Sequence, residues 1–361
     1  MRALTKRLLQ GATLLAALAL LASYASRWVS PSENEWLPFI GLGFPILLII
    51  NLAFLGFWLA KQSRWWILPL LIILIGWNPI TDYFGLPLSG KNEPGAFKVL
   101  SQNVRLFGFY QWNENEQLRD SIMARLAREK ADILCFQEFY FRDHGTGFQT
   151  MPYVLKATGA EFIHEKYTHV FRYDQYFGVV TMSRHPIVNK GYIAFEEDFN
   201  NYCIYSDIVL PGGDTIRVFN THLASIHFRN EEYGLLEGQG QDVDHIMGGA
   251  IGVLHKLSDG FQRRCSQIEL VMAEVALSPY PAILCGDFND TPISYTYGHV
   301  TEQLEDAHSG FGLGNTYNGP VPFLRIDHIF YSDSNLELQE YRVPHDPWSD
   351  HFPLICSFDL K

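Results

Sequence analysis

Basic residues are scarce: the 361-residue chain carries 27 lysines and arginines against 39 aspartates and glutamates, a formal net charge of −12. The shortage is uneven. Residues 1–90 hold six basic residues (Arg2, Lys6, Arg7, Arg27, Lys61, Arg64) and three acidic ones (Glu33, Glu35, Asp82), which leaves 21 basic and 36 acidic residues, a net of −15, for residues 91–361. A surface of that sign repels phosphate backbones, because the sequence-independent part of nucleic-acid binding comes from cations that release counterions. The balance speaks against tight non-specific nucleic-acid binding, while a local basic groove inside the sum leaves a nuclease open. No two cysteines stand at metal-ligand spacing, and the five present (Cys135, Cys203, Cys265, Cys285, Cys356) cannot all pair within one chain. Cys135, Cys285 and Cys356 sit in the apolar runs ILCFQE, ILCGDFN and LICSF, where a thiol packs as a small hydrophobe. Cys203 and Cys265 are the candidate disulfide pair. Internal repeats and low-complexity tracts are also missing, which excludes a repeat architecture.

What is abundant is long apolar sequence near the amino terminus. Residues 1–88 contain three such runs, 8–29, 37–60 and 65–86, each about the length that crosses ~30 Å of hydrocarbon at 1.5 Å per residue. The third spans only if it continues through Thr81, Asp82 and Tyr83. A cleaved signal peptide is the rival reading of the first run, but that run is too long and two more follow it. Trp28, Trp36, Trp65, Trp66 and Trp77 lie near the run ends, where indoles favour the water–lipid boundary. Residues 1–88 are therefore expected to be a membrane anchor of three transmembrane helices. Arg2, Lys6 and Arg7 on one side and Lys61 and Arg64 beyond the second run place the amino terminus in the cytoplasm. After three crossings the remainder lies outside it, on the periplasmic face of an inner membrane.

A Gly/Pro/polar linker at 89–96 separates this anchor from a domain at 97–361. Strand-like runs rich in β-branched and aromatic residues fall at 97–103, 133–138, 177–183, 202–210, 215–222, 282–287, 328–331 and 352–358. Helical spacing is clearest at 116–129 and 263–276. Strands with interspersed helices support an α+β domain of two packed sheets flanked by helices, a pattern that other α+β layouts share.

Polar residues interrupt these apolar runs at their carboxyl ends. Asn103 ends FKVLSQN, Glu138 ends ILCFQE, His222 follows IRVFNT, and Asp287 and Asn289 lie in ILCGDFN. A charge placed after four or five apolar residues costs desolvation unless something compensates it, so such a cluster marks a candidate site. RIDHIF adds Asp327, and WSDHFPL adds Asp350 and His351.

Taken in order, QN (102–103), QE (137–138), NTHL (220–223), GDFN (286–289), RIDHI (325–329) and SDH (349–351) resemble the endonuclease/exonuclease/phosphatase superfamily over residues 97–360. The resemblance implies a four-layer αββα sandwich with its site at one edge of the two sheets. It also implies roles by position. Glu138, helped by Asn103 and Asp350, would hold Mg²⁺ or Mn²⁺, a hard oxygen set suited to that ion. Asp287 would be the general base, with Asn289 orienting water or phosphate. His351, held by Asp327, and His222 would meet the phosphate. In abasic-site enzymes of the family a tyrosine between QE and NTHL contacts phosphate; Tyr173 and Tyr176 are the positional candidates, and Arg172 either approaches phosphate or pairs with Asp174. The segment 224–262, with His227, His245 and His255, is a long insert, and His245 and His255 read as solvated helix residues rather than ligands. Part of it, 245–257, is also readable as a helix with one face toward lipid.

The expected activity is hydrolysis of a phosphodiester or phosphomonoester, such as a lipid headgroup or small phosphorylated molecule, by metal-assisted attack of water. A membrane-tethered nuclease is the alternative.

Overall fold

The structure, a computed structural model, describes residues 3–85, 94–109, 115–143, 148–172, 174–196, 198–226, 243–308, 314–319 and 324–361, with backbone alone for 243–250. The linker expected at 89–96 is therefore described only from Pro94 onward.

The amino-terminal block is helical: α1 (Ala3–Ala25), α2 (Leu37–Leu42), α3 (Phe44–Ala60), α4 (Ile67–Ile75) and α5 (Trp77–Phe84). Among the described residues α1 is long and apolar enough to cross a membrane; α3 has 17 residues, and Arg64–Ile75 with α5 meets the same measure only if the two count as one span across their 63° bend. The second expected run is thus broken at Gly43, ahead of Pro45 in the first turn of α3. The third is bent at Gly76, ahead of Pro79, whose missing N–H cannot close the helical ladder. Leu20, Phe44, Leu48 and Ile72 form an apolar interior, yet much of the block's surface is apolar too. Leu4, Leu8, Leu15, Ile46, Ile49 and Ile75 are exposed, whereas Thr13 and Asn51 are buried. Both bond across helices, Trp58 Nε1 donating to Thr13 Oγ1 at 2.9 Å and Asn51 Nδ2 to Ala16 O at 3.0 Å.

The second block holds two six-stranded sheets. One contains β1 (Phe97–Asn103), β2 (Ile133–Arg142), β3 (Phe162–Phe171), β4 (Gln175–Ser183), β11 (Leu336–Arg342) and β12 (Leu354–Leu360), in the order β11-β12-β1-β2-β4-β3. The other contains β5 (Ile187–Ala194), β6 (Tyr202–Val209), β7 (Thr215–His222), β8 (Ala282–Asp287), β9 (Glu305–Asp306) and β10 (Asp327–Tyr331), in the order β5-β6-β7-β8-β10-β9.

Alternation along the strands builds the layers, since successive side chains point to opposite faces. Val99, Ile133 and Cys135 meet Val218, Ile283, Cys285 and Ile329 between the sheets. Their neighbours Leu100, Leu134 and Phe136 face outward and pack with Ile122 and Leu126 of α6 (Glu116–Glu129) and Val154 of α7 (Met151–Thr158). On the far side Phe219, Leu284 and Phe330 pack with Ile268, Val271 and Met272 of α8 (Val243–Ala276) and with Tyr297 of α9 (Tyr295–Val300). These are the four layers of an αββα sandwich. Both faces of the central strands are buried, hence their nearly continuous apolar sequence.

Cys203 and Cys265 do not pair; all five cysteines are free and buried. Cys203 packs in the outer core beneath α8, while Cys265 on α8 turns to the Ser30 hydroxyl at 3.2 Å.

Gly286, just before the end of β8, has φ +143°, and a Cβ there would lie 1.9 Å from Thr221 O of β7. We predict that Gly286→Ala destabilises the protein by about 1–3 kcal/mol, because both the backbone conformation and the strand spacing must yield. A thermal melt within a degree of the unmutated protein would contradict this.

Candidate active site

β1 and β2 run parallel, as do β7 and β8. Asn103 ends β1, and Glu138 follows its neighbour Gln137 in β2. In the other sheet His222 and Asp287 are register partners at the ends of β7 and β8, and Asp327 at the start of β10 pairs with Asp287 from the other side. Asp350 and His351 immediately precede the segment that turns into β12. Topology alone therefore gathers the residues at one edge. Glu138 sits where the β2–β4 register shifts between Phe136 and Phe139, and its φ is +47°. A bulge of this kind re-aims one side chain out of the strand alternation. Asn289 is also left-handed, at φ +52°, which turns GDFN sharply beyond β8.

All eight residues expected at the site join one connected set. Asn103 Nδ2 donates to Glu138 Oε1 and to Asp287 Oδ2, both at 3.0 Å, bridging a carboxylate from each sheet. Its Oδ1 accepts from the Arg105 backbone N–H at 3.0 Å, so a ligand role for that oxygen requires the amide to turn over. Asn289 N donates to Asp287 Oδ1 at 2.9 Å, and its side-chain Nδ2 to Leu223 O at 3.1 Å. His351 Nδ1 lies 3.0 Å from Asp327 Oδ2. The Nε2 atoms of His351 and His222 each lie 3.7 Å from Asp287 Oδ2, too far for a hydrogen bond. His222 Nε2 is buried with no partner, an orphaned ring nitrogen facing a buried carboxylate. Asp350 is tied in through Ser349, whose hydroxyl donates to Asn103 O at 3.0 Å.

Burial alone would keep His351 neutral, but the carboxylates of Asp327, Asp287 and Asp350 outweigh it and hold the imidazole well above its ordinary value. Burial raises the Asp327 carboxyl, and the imidazolium works against that rise. His351 is thus held as a cation beside Asp287, which is 1% exposed.

Four further residues matter here. Arg105 Nη1 approaches Asp350 Oδ2 at 3.3 Å. Gln102 Nε2 donates to His351 O at 3.3 Å and Gln137 Nε2 to Asn220 Oδ1 at 2.6 Å, so the glutamines of QN and QE brace the site from behind. Thr316 Oγ1 accepts from both Ile326 N and Asp327 N at 3.0 Å. The motifs already contained the glutamines; nothing local in the sequence marks Arg105 or Thr316.

Tyr176 packs with Phe141 and Tyr167, and Tyr173 lies outside the described residues. Asp174 pairs with Arg142 at 2.9 Å, while Arg172 lies over the Phe171 ring. Of the insert, residues 227–242 lie outside the described residues and the rest enters α8, where His255 is exposed. His227 falls in the undescribed stretch, and the side chain of His245 is likewise outside the described set.

Two facing sheets carry carboxylates and imidazoles at their shared edge. The chain belongs to the endonuclease/exonuclease/phosphatase family, whose model matches residues 100–351; residues 6–83 match a domain of unknown function. Similar solved structures include the human Nocturnin catalytic domain with bound sulfate, at 18% identity over 73% of this chain and 94% of that one, TM-score 0.52. Another is the Bacteroides thetaiotaomicron mannosyl-6-phosphatase Bt3783, at 18% identity over 73% and 99%, TM-score 0.51. At such identities the likeness is one of fold. A UPF0294 protein of Vibrio vulnificus is 28% identical over 197 residues, 52% of this chain and 56% of that protein, so the chain spans about half the length of the curated relatives it matches.

The family is in general divalent-metal dependent, and the site suits a cation. Asp287, Asp327 and His351 offer ligand atoms within 4.8 Å of one another. Asp327 already engages His351 Nδ1, however, which makes that pair a poor ligand set. Among the described residues no cation pairs with Glu138, whose carboxylate receives only the Asn103 amide.

Thr316→Val should leave two buried N–H groups without an acceptor and cost about 1–3 kcal/mol. The urea midpoint reads this directly, and an unchanged midpoint would refute it.

Proposed function

We propose that the chain is a membrane-anchored phosphoesterase that hydrolyses a phosphodiester or phosphomonoester by direct attack of water. The observation that carries this reading is the Asn103 amide bridging Glu138 and Asp287, with two imidazoles facing the same Asp287 oxygen.

Glu138, with Asp350 and Asn103, would hold Mg²⁺ or Mn²⁺, which supplies charge neutralisation at the phosphate. Asp287 Oδ2 is the base that takes the proton of the attacking water, while the Asn289 N–H on Oδ1 fixes the carboxylate plane. As the water oxygen bonds to phosphorus, charge grows on the phosphoryl oxygens. His351, kept protonated by Asp327, and the unpartnered Nε2 of His222 are placed to donate to that charge. The bond from phosphorus to the leaving oxygen then breaks, and no covalent enzyme intermediate is needed.

An anchor of three spans over 8–29, 37–60 and 65–86 belongs to this proposal, and α1 has the length and apolar composition of a span. Many leucines and isoleucines of the amino-terminal block face outward while Thr13, Asn51 and Trp58 hydrogen-bond between helices, an arrangement suited to lipid. The basic residues near the first two runs favour an extracytoplasmic catalytic domain. A reporter fused after Lys361 is expected to be active only outside the cytoplasm; activity only inside would overturn that orientation.

The substrate favoured by anchoring and by the −15 charge of residues 91–361 is a lipid headgroup or a small phosphorylated molecule near the bilayer. The test is a panel of plasmid DNA, RNA, phospholipids, sphingomyelin and phosphoinositides offered to the full-length protein with Mg²⁺. Turnover of a lipid or small ester, lost with a chelator and lost in Asp287→Asn and His351→Ala at preserved folding, is the expected result. Nicking of DNA without lipid cleavage would move the assignment to a nuclease, and unchanged turnover in either variant would remove these roles.

A further inference from the structure

The helical block does not hang beside the sandwich; it grips the strand start that carries Asp327. Ser26 Oγ donates to Ile293 O at 2.6 Å, and Ile293 is buried among Leu20, Tyr24 and Phe44 of the helices. Arg27, 6% exposed, donates through Nη1 to Asp82 Oδ2 at 2.7 Å and through Nη2 to Thr301 Oγ1 at 3.3 Å, with its guanidinium over the Tyr297 ring. Gly298 permits this approach, since a Cβ there would lie 2.2 Å from Arg27 O.

Asp82 then passes the connection on. Its backbone carbonyl, in the last turn of α5, accepts from Arg325 Nη2 at 2.6 Å, an orientation that helix carbonyls favour for a cation. Arg325, 2% exposed, uses Nη1 on Asp306 Oδ2 at 2.6 Å, and the Tyr297 hydroxyl donates to the same oxygen at 2.8 Å. Burial opposes the Asp306 charge, yet Arg325, His328 and His308 together hold the carboxyl far below its usual range. Two residues after Arg325 stands Asp327.

We propose that Arg27 and Asp82 are positioning residues for catalysis: the helical block fixes Arg325, and through it the Asp327–His351 pair. The inference rests on the reading of that pair as part of the reacting site. A purely mechanical anchor needs no such chain. Thr316 and the β8 register hold Asp327 from within the sandwich, and the guanidinium of Arg325 adds a hold that only the helices complete.

The test uses the full-length protein in lipid nanodiscs with Mg²⁺, and nitrophenyl phosphate and bis-nitrophenyl phosphate as probes. Arg27→Ala and Asp82→Asn should each lower kcat about tenfold at unchanged KM, the scale expected when a reacting group is slightly misplaced. Arg27→Lys should recover most of the loss. In an Asp327→Asn background, Arg27→Ala should have little further effect on the residual rate. Wild-type kcat in both single variants, an equal loss in both backgrounds, or a change confined to KM would overturn the inference. If Arg27→Ala fails to fold, the near-isosteric Asp82→Asn decides. Lack of turnover by the unmutated protein would remove the underlying reading as well, whereas turnover indifferent to Arg27 and Asp82 removes this inference alone.

Discussion

Four carboxylates, Glu138, Asp287, Asp327 and Asp350, are drawn to one edge of two sheets, and containing their mutual repulsion is the constraint on which the site depends. Each has an assigned neighbour: the Asn103 amide serves Glu138 and Asp287, His351 serves Asp327, and Arg105 serves Asp350. Only one of these neighbours, Arg105, is a permanent cation. The edge therefore stays electron-rich, a setting in which a divalent ion and a phosphate are better accommodated together than either alone. The Asn103 bridge also ties the two sheets where their interior ends, and the Gln137–Asn220 hydrogen bond repeats the tie one step deeper.

This gathering imposes strain on the backbone. Glu138 and Asn289 are left-handed, and Arg105, Leu106 and Phe107 form three left-handed residues in succession after Val104, which follows Asn103. Such conformations persist only where packing over-determines them. Phe107 supplies that packing, wedged edge-on against Phe139 at 5.0 Å. The turn that carries Arg105 back toward Asp350 is thereby anchored in the outer core of the first sheet.

The legibility of the sequence followed burial. Phe97–Asn103, Thr215–His222, Ala282–Asp287 and the helix Glu116–Glu129 have the bounds their residues suggest. The strands that escaped are β3, β5, β9 and β11, and these four are the sheet edges. An edge strand faces core on one side at most, so FIHEKYTHVF, IVNKGYIA and LELQEYR read as mixed polar sequence with no apolar run to mark them. The site residues were readable because desolvated charges at strand ends are anomalous. Thr316 was not, because a hydroxyl in a loop is ordinary until the two amides it serves are known. The breaks in the amino-terminal block at Gly43 and Gly76 have local marks in Pro45 and Pro79 that the apolar runs obscured, whereas the Arg27–Asp82–Arg325 contacts depend on tertiary neighbours that no local pattern encodes.

The five buried thiols carry a consequence of their own. Burial pushes Cys265 up to about 12 and raises Cys135, Cys203 and Cys356 as well. A neutral thiol sealed in a core is a poor nucleophile toward peroxide or toward another protein's disulfide. The five thiols therefore serve as small packing groups, and the fold holds together without a covalent crosslink between them.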